Sequence, residues 1–374
     1  VSLTSDERAR YARHLLLPEV GIVGQARLKD ARVLLVGVGG LGCPAATYLT
    51  CAGVGHLTLL DDDRVERSNL QRQPLHTDSD VGRLKVDSAR EKLTALNPHV
   101  TVEAVPERLK AQSAMDQLTG FDVVLNGADN FAARYLVSDV CIRLKTPWVH
   151  GALHRFDGEI SLFTAGGPCY RCLHPTPPAP EEAPSCAEAG VLGVLPGIVG
   201  SLMAAEALKL LLGISENLSG KLLLFDALAM RTRILRFSPR EGCFGCAGEV
   251  QLTELTGEGC PRSATNTPTM KECSPIELKA LLDSGETFRL IDVREPHEWE
   301  IGHIEGAELV PLATVPTACA GWDHDERLVL MCRSGKRSAD ALAHLAQQGF
   351  TDLTNLRGGI LAWSDSVDPS IPKY

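Results

Sequence analysis

The chain has 374 residues, 22% of them charged, and a formal net charge of −10. That length suits two or three domains, each able to bury its own core, and the acidic balance argues against a nonspecific nucleic-acid binder, whose footprint would be basic. Its 12 cysteines read as metal ligands, reactive thiols or core residues rather than as a disulfide framework.

Residues 32–37 predict a strand that runs into the loop "GVGGLG", and "CPAATYLTCAG" (43–53) continues as a helix. "HLTLLD" is a second strand ending at Asp61, residues 79–97 a helix, "VTVEAV" and "FDVVLNGAD" two more strands, and "NFAARYLVSDV" from Asn130 another helix. Strands alternating with helices predict a parallel, doubly wound, Rossmann-like α/β sheet. From about Pro147, "WVHGALHRFDGEISLFTA" looks like paired strands that extend it, so the sheet is mixed. Residues 173–190 are Pro- and Glu-rich and read as a loop. The uncharged run 189–205, broken by Gly and Pro, is too short to span a bilayer and reads as a buried helix. Residues 247–270 lack periodicity, which predicts domains at 1–250 and 270–374 joined by a linker, 251–269. The first residues are charged from Asp6 with no apolar leader core, so a cytoplasmic chain without membrane or direct nucleic-acid partners is expected.

Gly37, Gly39, Gly40 and Gly42 lie between a strand and a helix, the context in which a glycine loop and a helix N-terminus cradle phosphate. Asp61 ends the next strand, near the ~20-residue spacing of a ribose-binding acid. This pattern alone leaves NAD and ATP both open. Asn69 and Arg72 follow Asp61, Lys85 sits on the next helix and Asp129 lies just past a strand end. Two cations and an extra acid suit a triphosphate with Mg²⁺, and a hydride-transfer site needs none of them. Singly, Arg72 and Lys85 read equally well as solvated charges and Asp129 as a helix cap.

"GVGGLG", "LLDDD", "SNLQRQ", "VGRLK" and "GADN" resemble the molybdopterin-synthase adenylyltransferase and ThiF group, which is similar to the adenylation domains of ubiquitin-activating enzymes. The resemblance covers about residues 6–250. It implies that the Gly39–Leu41 backbone (Gly39, Gly40, Leu41) and Lys85 handle phosphates, Asp61 holds the ribose, Asn69 and Arg72 contact phosphate, and Asp129 binds Mg²⁺. Arg13, in "RYARHLLLP", matches an arginine supplied across a homodimer. The reaction implied is ATP-dependent adenylation of the terminal carboxylate of a ubiquitin-like sulfur carrier ending in Gly-Gly.

"CYRC" and "CFGC" give two C-x-x-C pairs, Cys169/Cys172 and Cys243/Cys246. Four thiolates so arranged suit a closed tetrahedral Zn²⁺ site; a redox pair is the rival, but neither pair sits at a thioredoxin-like strand-to-helix turn. The resemblance supports structural zinc. Cys186 follows the proline-rich loop and precedes a helix, a position for either a reactive or a buried thiol. Related enzymes carry a cysteine here that bonds covalently to the activated carrier. Cys43, Cys51 and Cys141 fall in apolar helical patterns and read as core.

In "RLVLMCRSGKRSADALAHLAQQG", an apolar strand ends at Cys332, a short polar loop follows, and a helix begins near Ser338. Successive N–H groups at a helix start make an anion cradle in which a thiol ionises readily. Such loops serve phosphate-ester cleavage or sulfur transfer. The C-x5-R pattern of cysteine phosphatases places Ser338 where it requires arginine, whereas "DVRE", "GHIEGA" and "NLRGGILAW" resemble rhodanese motifs. The resemblance covers about residues 270–370 and implies a small α/β rhodanese domain whose Cys332 carries a persulfide, with Asp292 and Arg294 organising the domain.

Together the halves imply an adenylyltransferase and sulfurtransferase. The Cys332 persulfide, loaded by a cysteine desulfurase or by thiosulfate, attacks the carrier adenylate, and reduction involving Cys186 releases a thiocarboxylate. The alternatives are an activator for protein conjugation through a Cys186 thioester, an NAD-dependent oxidoreductase with an appended rhodanese, and a carrier-docking scaffold without catalysis.

Overall fold

Apolar runs rich in leucine and valine build the central strands of the first sheet. Strands β1 (Arg32–Val36), β2 (His56–Leu60), β3 (Thr101–Val105), β4 (Val123–Asn126), β5 (Trp148–His154), β6 (Asp157–Phe163), β7 (Lys221–Asp226) and β8 (Arg231–Arg236) form one eight-stranded sheet in the order β3-β2-β1-β4-β5-β6-β7-β8. This computed structural model describes residues 2–177, 190–248, 252 and 271–374. The chain divides into two units, Val1–Pro261 and Arg262–Tyr374. Except for Leu252, the expected linker lies outside the described residues, as does the loop carrying Cys186.

The strands from β3 to β5 are parallel and those from β5 to β8 antiparallel, as the paired-strand reading after Pro147 expects. Alternate residues of each central strand enter opposite cores. Val33, Leu35, Leu57, Leu59 and Leu125 face the helices Gly42–Ala52, Lys85–Leu96 and Val194–Leu212. Leu34, Val36, Leu60 and Val124 face Tyr135, Trp148 and Tyr170 beside the helix Phe131–Leu144. Burial on both faces is why these strands read as continuous apolar runs rather than alternating ones. The strand order reverses between β1 and β4, and such a switch point opens a ligand crevice at the carboxyl ends of the strands.

The uncharged run forms the helix Val194–Leu212. By length and composition it could cross a membrane, but Leu195, Val199, Met203, Ala204 and Ala207 are buried in the first core, where it serves as a core helix. Two local expectations need correction. The helix expected from Ser79 begins at Lys85, because Asp78–Asp80 form a 3-10 turn and Gly82 follows at φ +87°. Cys43 and Cys141 are core thiols, whose pKa burial raises, to about 12 for Cys43. Cys51, in the last turn of its helix, is exposed instead.

The second unit is a five-stranded parallel sheet. Its strands are β9 (Lys271–Cys273), β10 (Arg289–Asp292), β11 (Ala307–Leu309), β12 (Leu328–Met331) and β13 (Leu353–Leu356), in the order β11-β10-β12-β13-β9. Leu328 and Leu330 pack into one core and Val329 and Met331 into the other, so β12 is buried on both faces up to Cys332. The helix expected near Ser338 begins at Lys336.

Candidate functional site

The glycine loop lies at the β1–β4 switch point and lines a cavity of about 810 Å³. Its glycines divide the work. A side chain on Gly42 would place Cβ 2.0 Å from the Gly37 carbonyl oxygen, and Gly37 itself has φ +88° with Gly127 and Ala128 against it. These two are glycine for packing between β1, the helix start and β4. Gly39 has only the Gln73 amide within 4 Å, so its backbone is open to a ligand. Leu41 caps the helix Gly42–Ala52 without a side-chain bond, leaving the helix start to act on the cavity.

The expected residues Gly39, Gly40, Leu41, Asp61, Asn69, Arg72, Lys85 and Asp129 all line this one cavity. Asp61 accepts the Val38 N–H at 2.7 Å and the Asp63 N–H at 2.8 Å. Burial raises its pKa, against Lys85 and those two amides. Lys85 is buried and donates to Asp63 at 2.7 Å, while Arg72 donates to the Ser68 carbonyl at 2.8 Å. Asn69 is buried and accepts the Glu66 N–H at 3.2 Å. Asp129 is exposed, and the capping role falls to Asn130, whose side chain accepts the Ala133 N–H at 2.8 Å. A carboxylate at a strand end with no capping duty fits an oxygen ligand for Mg²⁺. Asp61, Asp62 and Asp63 also bring carboxylate oxygens within 4.8 Å of one another. Arg13 lies exposed on the helix Ala12–Leu15 and is not among the cavity's lining residues.

Sequence reasoning passed over two buried polar residues of the wall, Gln73 and Arg134. The signal for Arg134 was its place early in a helix that starts at the crevice, but an arginine there reads as a solvated charge.

Both C-x-x-C pairs converge. Cys169 Sγ lies 3.8 Å from Cys172 and 3.6 Å from Cys243, and Cys172 lies 3.3 Å from Cys246. All four sulfurs fall within 4.8 Å of one another. A tetrahedron of ~2.3 Å metal–sulfur bonds has edges of ~3.8 Å, so this donor set fits zinc. Each pair sits on a one-turn helix, Tyr170–Leu173 and Phe244–Ala247, which turns the two sulfurs of a pair to one side.

In the second unit, Cys332 is fully buried at the end of β12. Its sulfur accepts the Gly335 N–H at 3.1 Å, and the Ser338 oxygen lies 3.4 Å from it. Ser338 donates to Asn355 at 2.7 Å, and Asn355 donates to the Gly335 carbonyl at 3.0 Å, which fixes the loop. Gly335 has φ +93°, and a Cβ on Gly359 would meet the Cys332 carbonyl oxygen at 2.3 Å. Asp292 and Arg294 form a fully buried ion pair two residues apart, with Arg294 also donating to the Glu298 and Gly302 carbonyls. They tie turns together, and among the described residues neither hydrogen-bonds Cys332. Arg337 is held by Glu298 at 2.6 Å and Arg333 by the Tyr374 carbonyl at 2.6 Å.

A ThiF family model matches residues 11–246, and a rhodanese-like domain model matches residues 274–366. The chain is 43% identical over 387 residues to the probable adenylyltransferase/sulfurtransferase MoeZ of Mycobacterium tuberculosis (strain ATCC 25618 / H37Rv), covering 100% of this chain and 97% of that one. It is 40% identical over 390 residues to the adenylyltransferase and sulfurtransferase MOCS3 of Drosophila yakuba, covering 100% and 86%. Among solved structures, E. coli MccB with ATP shares the fold at TM-score 0.57 and 22% identity, over 64% of this chain and 74% of that one. The chain belongs to the ThiF family and carries a rhodanese-like domain; it is an adenylyltransferase and sulfurtransferase.

Proposed function

We propose that this enzyme adenylates the C-terminal glycine of a ubiquitin-like sulfur carrier and converts it to a thiocarboxylate. One observation carries the reading: a single chain holds a polyphosphate-sized cavity walled by Lys85, Arg72 and Asp129 and a cysteine loop whose Gly335 N–H points at Cys332 Sγ. In the first step an oxygen of the carrier carboxylate bonds to the α-phosphorus of ATP, and the bond to the bridging oxygen breaks, releasing pyrophosphate. Mg²⁺ held by Asp129 would offset phosphate charge, and Lys85 and Arg72 would bind the departing oxygens. In the second step the terminal sulfur of a Cys332 persulfide bonds to the acyl carbon and AMP leaves. A second thiolate, Cys186 in this reading, then bonds to Cys332 Sγ. The thiocarboxylate departs, and a disulfide remains for an external thiol to reduce. The donor that reloads Cys332 is a cysteine desulfurase persulfide or thiosulfate.

Zinc on Cys169, Cys172, Cys243 and Cys246 would be structural, since four protein sulfurs leave no open position. A homodimer carrying Arg13 to the partner's cavity is supported by the exposed apolar residues Leu16, Leu17, Ile22 and Val23 immediately after it. The same reading places the enzyme in the cytoplasm. The test incubates enzyme, Mg·ATP, a Gly-Gly carrier and a sulfur donor, and weighs the carrier. An oxygen-to-sulfur mass change is expected. Its absence with competent carrier and donor removes the reading, and carrier–lysine isopeptide products would favour the conjugation alternative. Cys332→Ala should keep ATP–pyrophosphate exchange and lose the mass change.

A further inference from the structure

Arg134 lies four residues beyond Asn130, in the early part of the helix Phe131–Leu144. Its residue exposure is 6%, yet it lines the nucleotide cavity. Its guanidinium carbon stands 4.6 Å from the centre of the Phe131 ring, and its Nε has no hydrogen-bond partner. Burying a guanidinium without full hydrogen bonding costs several kcal/mol, so the position calls for an anionic partner.

The protein behind it does not supply one in full. Glu159 is the nearby carboxylate, and it already accepts His150 Nε2 at 2.9 Å. The other groups around it are uncharged: the Tyr170 hydroxyl and the His150 and His174 rings, whose pKa burial lowers. Trp148 Nε1, Tyr170 Oη, His150 Nδ1 and His174 Nε2 are buried without partners too, with the His150 and Tyr170 rings 5.1 Å apart and Tyr170 and His174 4.8 Å apart. None of these is a second carboxylate, so an anion entering the cavity that Arg134 lines is the charge available to offset it.

Position narrows what meets it there. Lys85 and Arg72 come from segments after β2 and are already engaged, by Asp63 and by the Ser68 carbonyl. Arg134 comes from the segment after β4, across the switch point and beside Asp129. Adenylation requires two anions, a carboxylate and an α-phosphate, to approach within bonding distance. A planar guanidinium with a fork of donors suits that task better than an ammonium.

We propose that Arg134 binds an oxyanion at the reacting centre, an oxygen of the α-phosphate or of the carboxylate that attacks it. This rests on the adenylation reading above. The test compares wild type with Arg134→Met and Arg134→Lys in the full chain. It measures Mg·ATP affinity by titration, ATP–pyrophosphate exchange with a Gly-Gly carrier, and thermal unfolding. A ~10-fold or greater loss of ATP affinity assigns the phosphate. Unchanged ATP affinity with ~100-fold slower exchange or a raised carrier KM assigns the carboxylate. Arg134→Lys keeps charge and stem but not the fork, so it should recover part of the loss; it decides the matter where Arg134→Met does not fold. Affinity and exchange within twofold of wild type would overturn the proposal and leave Arg134 a packing residue. If the wild type itself shows no exchange, the adenylation reading fails separately. ATP titration then decides alone, and unchanged affinity overturns the assignment.

Discussion

Lys85 Nζ lies 2.7 Å from the Asp63 carboxylate, and the Lys85 N–H donates to the Asp63 carbonyl at 3.0 Å, so one aspartate holds both ends of the lysine at the cavity wall. The ammonium is buried while the carboxylate is largely exposed. Asp63 therefore competes with any phosphate for Lys85. Lys85→Met should slow pyrophosphate exchange ~100-fold or more, because it removes charge stabilisation made at the departing phosphates. Asp63→Asn should instead tighten ATP binding several-fold, as the lysine gains freedom to turn to the nucleotide. Pyrophosphate exchange checks the first and isothermal titration with Mg·ATP the second, and weaker binding in Asp63→Asn would show that the aspartate serves the nucleotide or its metal rather than restraining the lysine.

The sulfur loop is built from close approaches that tolerate little change. Gly359→Ala would place Cβ 2.3 Å from the Cys332 carbonyl oxygen at a residue with φ +57°, so it should unfold or distort the second unit and abolish sulfur transfer. Ser338→Ala is milder. It removes the polar oxygen beside the Cys332 sulfur and leaves the Asn355 carbonyl oxygen short of a donor, at a cost of ~1–3 kcal/mol. The expected result is a lower unfolding temperature for the second unit and slower persulfide formation, with pyrophosphate exchange intact. Mass spectrometry of Cys332 after exposure to a persulfide donor reads the rate, and an unchanged rate would show that the Gly335 N–H suffices.

Much of this architecture is legible in the residues because single constraints dominate there. The β1 run and the glycine loop can be read since a strand buried on both faces must be apolar and a tight strand-to-helix turn must be glycine. Asp61, Lys85 and Asp129 are legible because each follows or begins an element at the crevice, and Asn69 and Arg72 through the family resemblance of "SNLQRQ". Where two constraints coincide, sequence reads only one of them. Gly42 looks like a phosphate-binding glycine, but its nearest demand is the Gly37 carbonyl. Cys51 follows an apolar pattern, but it falls in the final turn, where the helix rolls that position outward. Arg134 and the His150–Glu159 pair escape altogether, because burial of a charge depends on partners from β5, β6 and distant helices that no local pattern reveals.

The four-sulfur cluster makes a separate claim on stability. Cys169, Cys172, Cys243 and Cys246 join segments 74 residues apart, and a bound ion would close that long loop. Purified enzyme should contain one zinc per chain by elemental analysis. Stripping it with a strong chelator should lower the unfolding temperature of the first unit and leave the Cys332 unit unaffected. Cys246→Ser should lose the metal with the same consequence. Zinc-free enzyme with full stability would mean that the thiols are held by packing alone.

Acid sensitivity follows from the buried histidines. His76 and His150 are at most 4% exposed, and burial lowers the pKa of both below its ordinary value. As pH falls below ~6.5 the unfolded chain takes up protons that the folded chain refuses, so unfolding binds protons and stability declines. Each such histidine contributes a slope of up to ~1.4 kcal/mol per pH unit until its folded pKa is passed. Glu159 acts at lower pH. Burial opposes its ionisation, but the His150 hydrogen bond and the charges around it hold its pKa down to about 2, so its contribution is present above ~4.5 and fades only below that. Between pH 7.5 and 5 the histidines lower stability, opposed by the buried carboxylates Asp61 and Asp139, whose raised pKa lets the folded chain bind protons more readily than the unfolded one. His76→Asn keeps a polar group opposite the Ser88 hydroxyl, which hydrogen-bonds His76 Nδ1 at 2.9 Å, and removes the titration, so it should flatten the slope by about one histidine's worth. Denaturant unfolding at half-unit pH steps measures this, and an unchanged slope in His76→Asn would show that His76 binds its proton equally in the folded and unfolded chain.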